Sequence, residues 1–294
     1  MNSTPQKLPP GDATAPGHDD VRLHYRVSGR GPVLIAHPGG PGTDASFLGD
    51  LAGLGEVATV VWLDPRGTGG SSAPADASAY SLAHYAADVE ALREHLGLEQ
   101  VGLLGYSHGG MVAMRYGIEH SDRLTHLILL DTAPSTGDPD TLARVEKAMD
   151  RRKEEPWYPP VRALLDADDD PDQTDAQAHA NLLAILPMYF HKWDSVAQDF
   201  VATLSGGSFH ARATGPWVVE SKTMDLRPEL GEIHARTLVI GGDDDFVCDA
   251  VSARAMADRI PGARLEIIAD SGHFPWIEQP AAFRRAMDSF LADP

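Results

Sequence analysis

One cysteine, Cys248, stands in a chain of 294 residues. No intramolecular disulfide can staple such a chain, and a reducing compartment is expected. Basic side chains are also scarce. Lys plus Arg number 24 against 43 Asp plus Glu, which leaves a net charge of −19. Phosphates would be repelled, so nucleic-acid and anionic-membrane partners are excluded. Long apolar runs are missing: none approaches the roughly 20 residues that span a bilayer. The opening "MNSTPQKLPPGDATAPGHDD" lacks the apolar centre of a signal peptide. It reads as a flexible tail over residues 1–18, and a cytoplasmic location is expected.

What is present is globular: hydrophobic residues make up 43%. "VRLHYRV" alternates apolar and polar residues, as a half-exposed strand does. "PVLIAH", "VATVVWLD", "VGLLGYS" and "LTHLILLD" are short and nearly all apolar, like strands covered on both faces. Between them, "SLAHYAADVEALREHLG" has a Ser81 cap, apolar residues at helical spacing and a Gly97 stop. Strands alternating with helices predict a mostly parallel, twisted sheet with helices on both faces. From about Ala133 to Gly231 the strand rhythm stops, and it returns with "RTLVIGG" and "ARLEIIAD". The reading is an α/β core over residues 19–133 and 232–294, with a helical cap over 134–231.

Two stretches are unusual. "HPGGPG", His37 to Gly42, packs three glycines and two prolines behind a buried strand. Such a loop brings backbone N–H groups close to a ligand, and the prolines stiffen it. Gly105-Tyr106-Ser107-His108-Gly109 joins a buried strand to an apolar-periodic helix. A serine on so sharp a turn is forced outward, and flanking glycines avoid collision with neighbouring backbone. A serine hydroxyl is a weak nucleophile and needs a base. "LVIGGDDD" and "DSGHF" place an acid and then His273 just past two later strands. The long gap after Ser107 holds a sixth strand and the cap. The short gap before His273 holds one helix and one strand.

Together "HPGGPG", "LDPRGTGGSS", "GYSHGG", "LVIGGDDD" and "DSGHF" resemble the α/β-hydrolase superfamily and are most similar to its proline iminopeptidase branch. The resemblance runs from about Val21 to the C-terminus and implies an α/β-hydrolase fold. It implies Ser107 as nucleophile, His273 as base and Asp245 as the triad acid, with Asp244 as the alternative. Backbone N–H groups of Gly40 and His108 would hold the oxyanion. Pro38 stands where that branch usually has His, which leaves Gly39 as a second choice of donor.

The acid position is followed by Phe246, where relatives often carry a Glu. Glu220 and Asp225 are candidate amine anchors, and Trp217, Phe246 and Gly39 candidate substrate contacts. Trp157, Tyr158, Tyr189, Phe190 and Trp193 either line a pocket or form the core of the cap. Asp64 and Arg66 are expected to hold their turn by mutual hydrogen bonds. His179, His191, His210 and His234 lack ligand spacing, so no metal is expected, and the chemistry calls for no cofactor. A small molecule or short peptide is the expected partner. The aminopeptidase and the esterase or lactonase readings stay open. So do a silent receptor and a non-hydrolytic enzyme on the same fold.

Overall fold

A computed structural model describes residues 8–167, 170 and 172–292. The first seven residues of the expected tail lie outside that range. Eight strands form one sheet: β1 (Gly11–Pro16), β2 (Arg22–Gly29), β3 (Val33–His37), β4 (Thr59–Asp64), β5 (Val101–Tyr106), β6 (Leu124–Leu130), β7 (Arg236–Gly242) and β8 (Arg264–Ile268). Their spatial order is β1-β2-β4-β3-β5-β6-β7-β8. β2 pairs antiparallel with both β1 and β4, and the remaining pairs are parallel. β1 departs from the expected tail. Its Ala13 and Ala15 alternate inward onto the core, and its backbone is paired along Arg22 to Val27.

Both faces of the parallel strands are covered, as their apolar runs require. Val61, Leu103, Leu127, Leu129 and Val239 face one core. Val60, Leu104, Ile128, Leu130 and Ile240 face the other. Helices α1 (Leu82–His95) and α2 (His108–Glu119) pack on the first face. Ser81 caps α1 through the His84 N–H, as its sequence suggests.

Between β6 and β7 the described residues form α3 (Pro139–Asp150), α4 (Tyr158–Leu165), α5 (Asp175–Ile185), α6 (Ser195–Leu204) and α7 (Thr214–Glu220), with short 3-10 turns. Then come α8 (Ala250–Ala257), α9 (Pro275–Glu278) and α10 (Pro280–Ala292). α8 joins α1 and α2 on the first face, and α10 packs on the second through Phe283, Met287 and Phe290.

The strand order reverses between β3 and β5, because β4 lies on one side of β3 and β5 on the other. In open α/β sheets that crevice, at the carboxyl ends of the strands, is where ligands bind. "HPGGPG" leaves β3 and Ser107 leaves β5 at that edge.

The Asp64–Arg66 expectation fails. Asp64 accepts from the amides of Ala45 (3.0 Å) and Gly70 (2.9 Å) and pairs with His24 at 2.8 Å. Arg66 reaches instead to Asp88 on α1, at 2.7 and 2.8 Å, and is fully buried. A rigid two-pronged guanidinium selects a carboxylate it can meet side-on, and Asp88 offers one.

Candidate active site

Ser107 is the residue between β5 and α2, with φ 53° and ψ −120°. A non-glycine residue with positive φ is uncommon and marks local strain. Its neighbours hold it there. Its N–H donates to Leu130 O at 3.0 Å. Its carbonyl accepts from Gly110 N at 2.9 Å and from Thr132 Oγ1 at 2.7 Å. The flanking glycines leave no space for a side chain. A Cβ on Gly105 would stand 2.1 Å from Gly109 O, and one on Gly109 would stand 2.3 Å from Pro38 O.

The three consecutive aspartates have three different environments. Asp243 accepts from the Ser271 amide. Asp244 is taken by Arg152 at 2.8 Å, Arg151 at 3.0 Å and His191 at 3.0 Å, all from the segment between β6 and β7. Asp245 turns inward, with Oδ2 at 2.6 Å from His273 Nδ1. Its other oxygen accepts the Val247 and Cys248 amides at 3.0 and 3.1 Å. A carboxylate held by two N–H groups orients an imidazole firmly. The rings of Tyr106 and Tyr189 pack on His273 at 4.9 and 5.4 Å, and its N–H donates to Tyr189 O at 2.7 Å.

Asp131, at the end of β6, lies wholly buried beside this pair. One oxygen accepts Gly242 N at 2.8 Å and the other has no partner. Burial and the Asp245 charge push its carboxyl well above the usual carboxylate range. Sequence reading did not single it out, since nothing in "LLDTA" marks the strand end as facing a second carboxylate.

Ser107 and His273 line one cavity of about 70 Å³. Its walls are Gly40, Thr43, Phe47, Tyr106, Leu182, Leu186, Tyr189 and Phe274. Gly40 reaches that cavity with φ 105°. Gly39 lies behind: a Cβ there would be 3.0 Å from the Ser107 Cβ, and its carbonyl accepts Thr43 Oγ1. His108 supplies the first amide of α2. Of the aromatics considered from sequence, Tyr189 reaches the cavity. Phe190 is buried in the core behind it, with Trp193 packed alongside. Trp157 and Tyr158 pack in a third cluster with Phe246.

Trp217 packs on the His108 ring at 4.8 Å. Phe246 is buried against the Tyr189 ring. Glu220 accepts from Leu82 N at the start of α1 at 3.2 Å, and burial raises its carboxyl. Asp225 pairs with Arg227 at 2.8 Å. Neither acid is among the walls of the Ser107 cavity.

Donor atoms of Asp245, Cys248 and His273 lie within 4.8 Å of one another, a set the histidine spacings did not suggest. The Asp–His hydrogen bond occupies two of them. Burial and the neighbouring carboxylates hold the thiol protonated.

A family described as alpha/beta hydrolase fold matches residues 32–280. A proline iminopeptidase of Lacticaseibacillus rhamnosus (strain Lc 705) is 28% identical, over 93% of this chain and 95% of its own. An enol-lactonase from Burkholderia xenovorans LB400 superposes with a TM-score of 0.68 at 25% identity, over 96% of this chain and all of the other (100%). An esterase from Exiguobacterium antarcticum superposes with a TM-score of 0.73 at 23% identity, over 95% of this chain and 98% of the other, a likeness of fold.

Proposed function

From the premise that this chain belongs to the alpha/beta hydrolase family and is a hydrolase, we propose that Ser107, His273 and Asp245 form its catalytic triad. The observation that carries this is one cavity shared by Ser107 and His273, with Asp245 Oδ2 at 2.6 Å from Nδ1 of that imidazole. Ser107 Oγ attacks a carbonyl carbon and His273 takes its proton. Asp245 fixes the tautomer and stabilises the imidazolium. The N–H groups of Gly40 and His108 receive the negative oxygen. The tetrahedral species collapses, the leaving group takes the proton from His273, and an acyl group remains on Ser107. Water, deprotonated by His273, attacks that ester. Ser107 then regains its proton and the acid leaves.

The walls of the cavity argue for the substrate. Phe47, Tyr106, Leu182, Leu186, Tyr189 and Phe274 suit a small uncharged acyl group or ring. A short-chain ester or a lactone is therefore the substrate class. The second reading is release of an N-terminal proline, favoured by the proline iminopeptidase at 28% identity. Its compact pyrrolidine ring suits the same walls. Rates on a short acyl ester, a small lactone and a prolyl amide decide between them. The ester or lactone is expected to turn over faster. A strong preference for the prolyl amide with its free amine would overturn that choice.

The segment over residues 134–231 acts as a cap in this account. It reaches the catalytic loops at two places. His210 N donates to Gly42 O at 2.8 Å, and Ser208 N donates to Asp44 at 2.8 Å. On the other side, Tyr189 O accepts from His273 N, and Glu278 accepts from His191 N at 2.7 Å. Glu278 also accepts Gly272 N at 2.8 Å, so it ties the histidine loop to the cap.

A further inference from the structure

Buried polar atoms almost always have a hydrogen-bond partner, and each exception needs a reason. Five exceptions here form one arc: Tyr80 Oη, Tyr85 Oη, both ring nitrogens of His108, and His210 Nε2. Their rings are in succession. Tyr80 lies 5.7 Å from His210 and 6.4 Å from Tyr85, and Tyr85 lies 5.3 Å from His108. The two ends of the arc are fixed to the catalytic loops. His108 follows Ser107 directly, and His210 donates its amide to Gly42 of the "HPGGPG" loop.

We propose that this arc is a leaving-group subsite, for a neutral group that both donates and accepts hydrogen bonds, as a carboxamide does. The proposal rests on the serine-hydrolase reading above and names the other half of its substrate. The small apolar cavity takes the acyl part, and the arc takes what departs. The chemistry of the arc sets the class. Burial pushes the His108 imidazole down to about 3, so it is neutral, with one donor and one acceptor nitrogen. Each tyrosine hydroxyl also donates and accepts. Arg66, the cation stacked near Tyr85, is already engaged by Asp88.

The subsite is closed in the present packing, since these atoms are out of reach of solvent. α7 covers its His108 end, where the Trp217 ring lies on His108. α7 has no fully buried residue and is tied down by Glu220 to the Leu82 amide and by Thr136 Oγ1 to Ser221 O. In this proposal, lifting α7 opens the arc from its His108 end to a ligand that supplies the missing partners.

The test uses three butyrate esters: of glycolamide, of 1-propanol and of choline. kcat/KM is measured on the full chain, on Tyr80→Phe, on Tyr85→Phe and on the double variant. The expected result is a preference of about tenfold or more for the glycolamide ester over the propyl ester. Each single variant should cut that preference, and the double variant should bring it near one. The melting temperature of each variant should hold or rise, because an unpaired buried hydroxyl has been removed. A merely structural role would lower stability and leave the ratio alone. A wild-type ratio near one, a ratio unmoved by both substitutions, or a preference for the choline ester would overturn the subsite. If no ester turns over and a fluorophosphonate leaves Ser107 unlabelled, the parent reading fails and the subsite falls with it.

Discussion

Ser107 stands out in the sequence because the residues that shape its turn are local. Glycines at positions 105 and 109 announce a turn that admits no Cβ, which would stand 2.1 and 2.3 Å from backbone oxygens. Gly109→Ala is expected to abolish turnover and lower the melting temperature, read by activity and thermal unfolding. The choice among Asp243, Asp244 and Asp245 is less legible. Asp244 is drawn away by Arg152 and His191, residues far off in sequence whose approach no local pattern reveals. This separation makes a prediction. Asp245→Asn should cut kcat by about 10³–10⁴-fold, since the imidazole loses its orienting charge. Asp244→Asn should cost far less in kcat and mainly loosen the cap's hold on the core. Steady-state kinetics on both variants check it.

Elements were legible where their caps and periods were. α1 begins behind Ser81, and each interior strand shows the apolar run that two covered faces demand. β1 was not legible, because "GDATAP" has the turn-forming composition of a tail and becomes a strand only by pairing with β2. The "LDPRGTGGSS" turn was misread for a related reason. Arg66 passes over nearby Asp64 and takes Asp88, which also accepts from His18 N at 2.8 Å. One buried ion pair thus joins this turn, α1 and the segment before β2. Arg66→Met is expected to destabilise the fold by about 3–5 kcal/mol, because Asp88 is left buried without its partner. Urea unfolding of the variant measures it. Glu220 shows the limit of reading function from residue type. It resembles an amine anchor in the sequence, and the structure uses it to hold the first turn of α1.

At the scale of the whole molecule, buried titratable groups give stability a predictable pH profile. His37 and His108 stay neutral in the fold down to about pH 4 and about pH 3, against an ordinary value of 6.5. Between those limits the unfolded chain binds more protons, so stability falls as pH drops below about 6.5. Glu278 works in the opposite direction. Burial lifts its carboxyl from 4.5 to about 7 despite three backbone donors. Its contribution is full below about pH 4.5 and is lost as pH rises through about 7. His108→Phe should therefore flatten the acid limb of the profile. Glu278→Gln should remove the decline between about pH 4.5 and 7. Urea midpoints taken across that range separate the two. The fold and the motif residues could be read from the sequence because strand rhythm and tight turns are local. The contacts of residues 134–231 with the loops around Ser107 and His273, and the unpaired arc around His108, could not, because both are made by residues that meet only after folding. The most direct measurement of the central claim is intact mass followed by peptide mapping after treatment with a fluorophosphonate. The account predicts one adduct, on Ser107, lost in Ser107→Ala together with turnover. An unlabelled wild-type chain, or a Ser107→Ala variant that keeps its turnover, would contradict it.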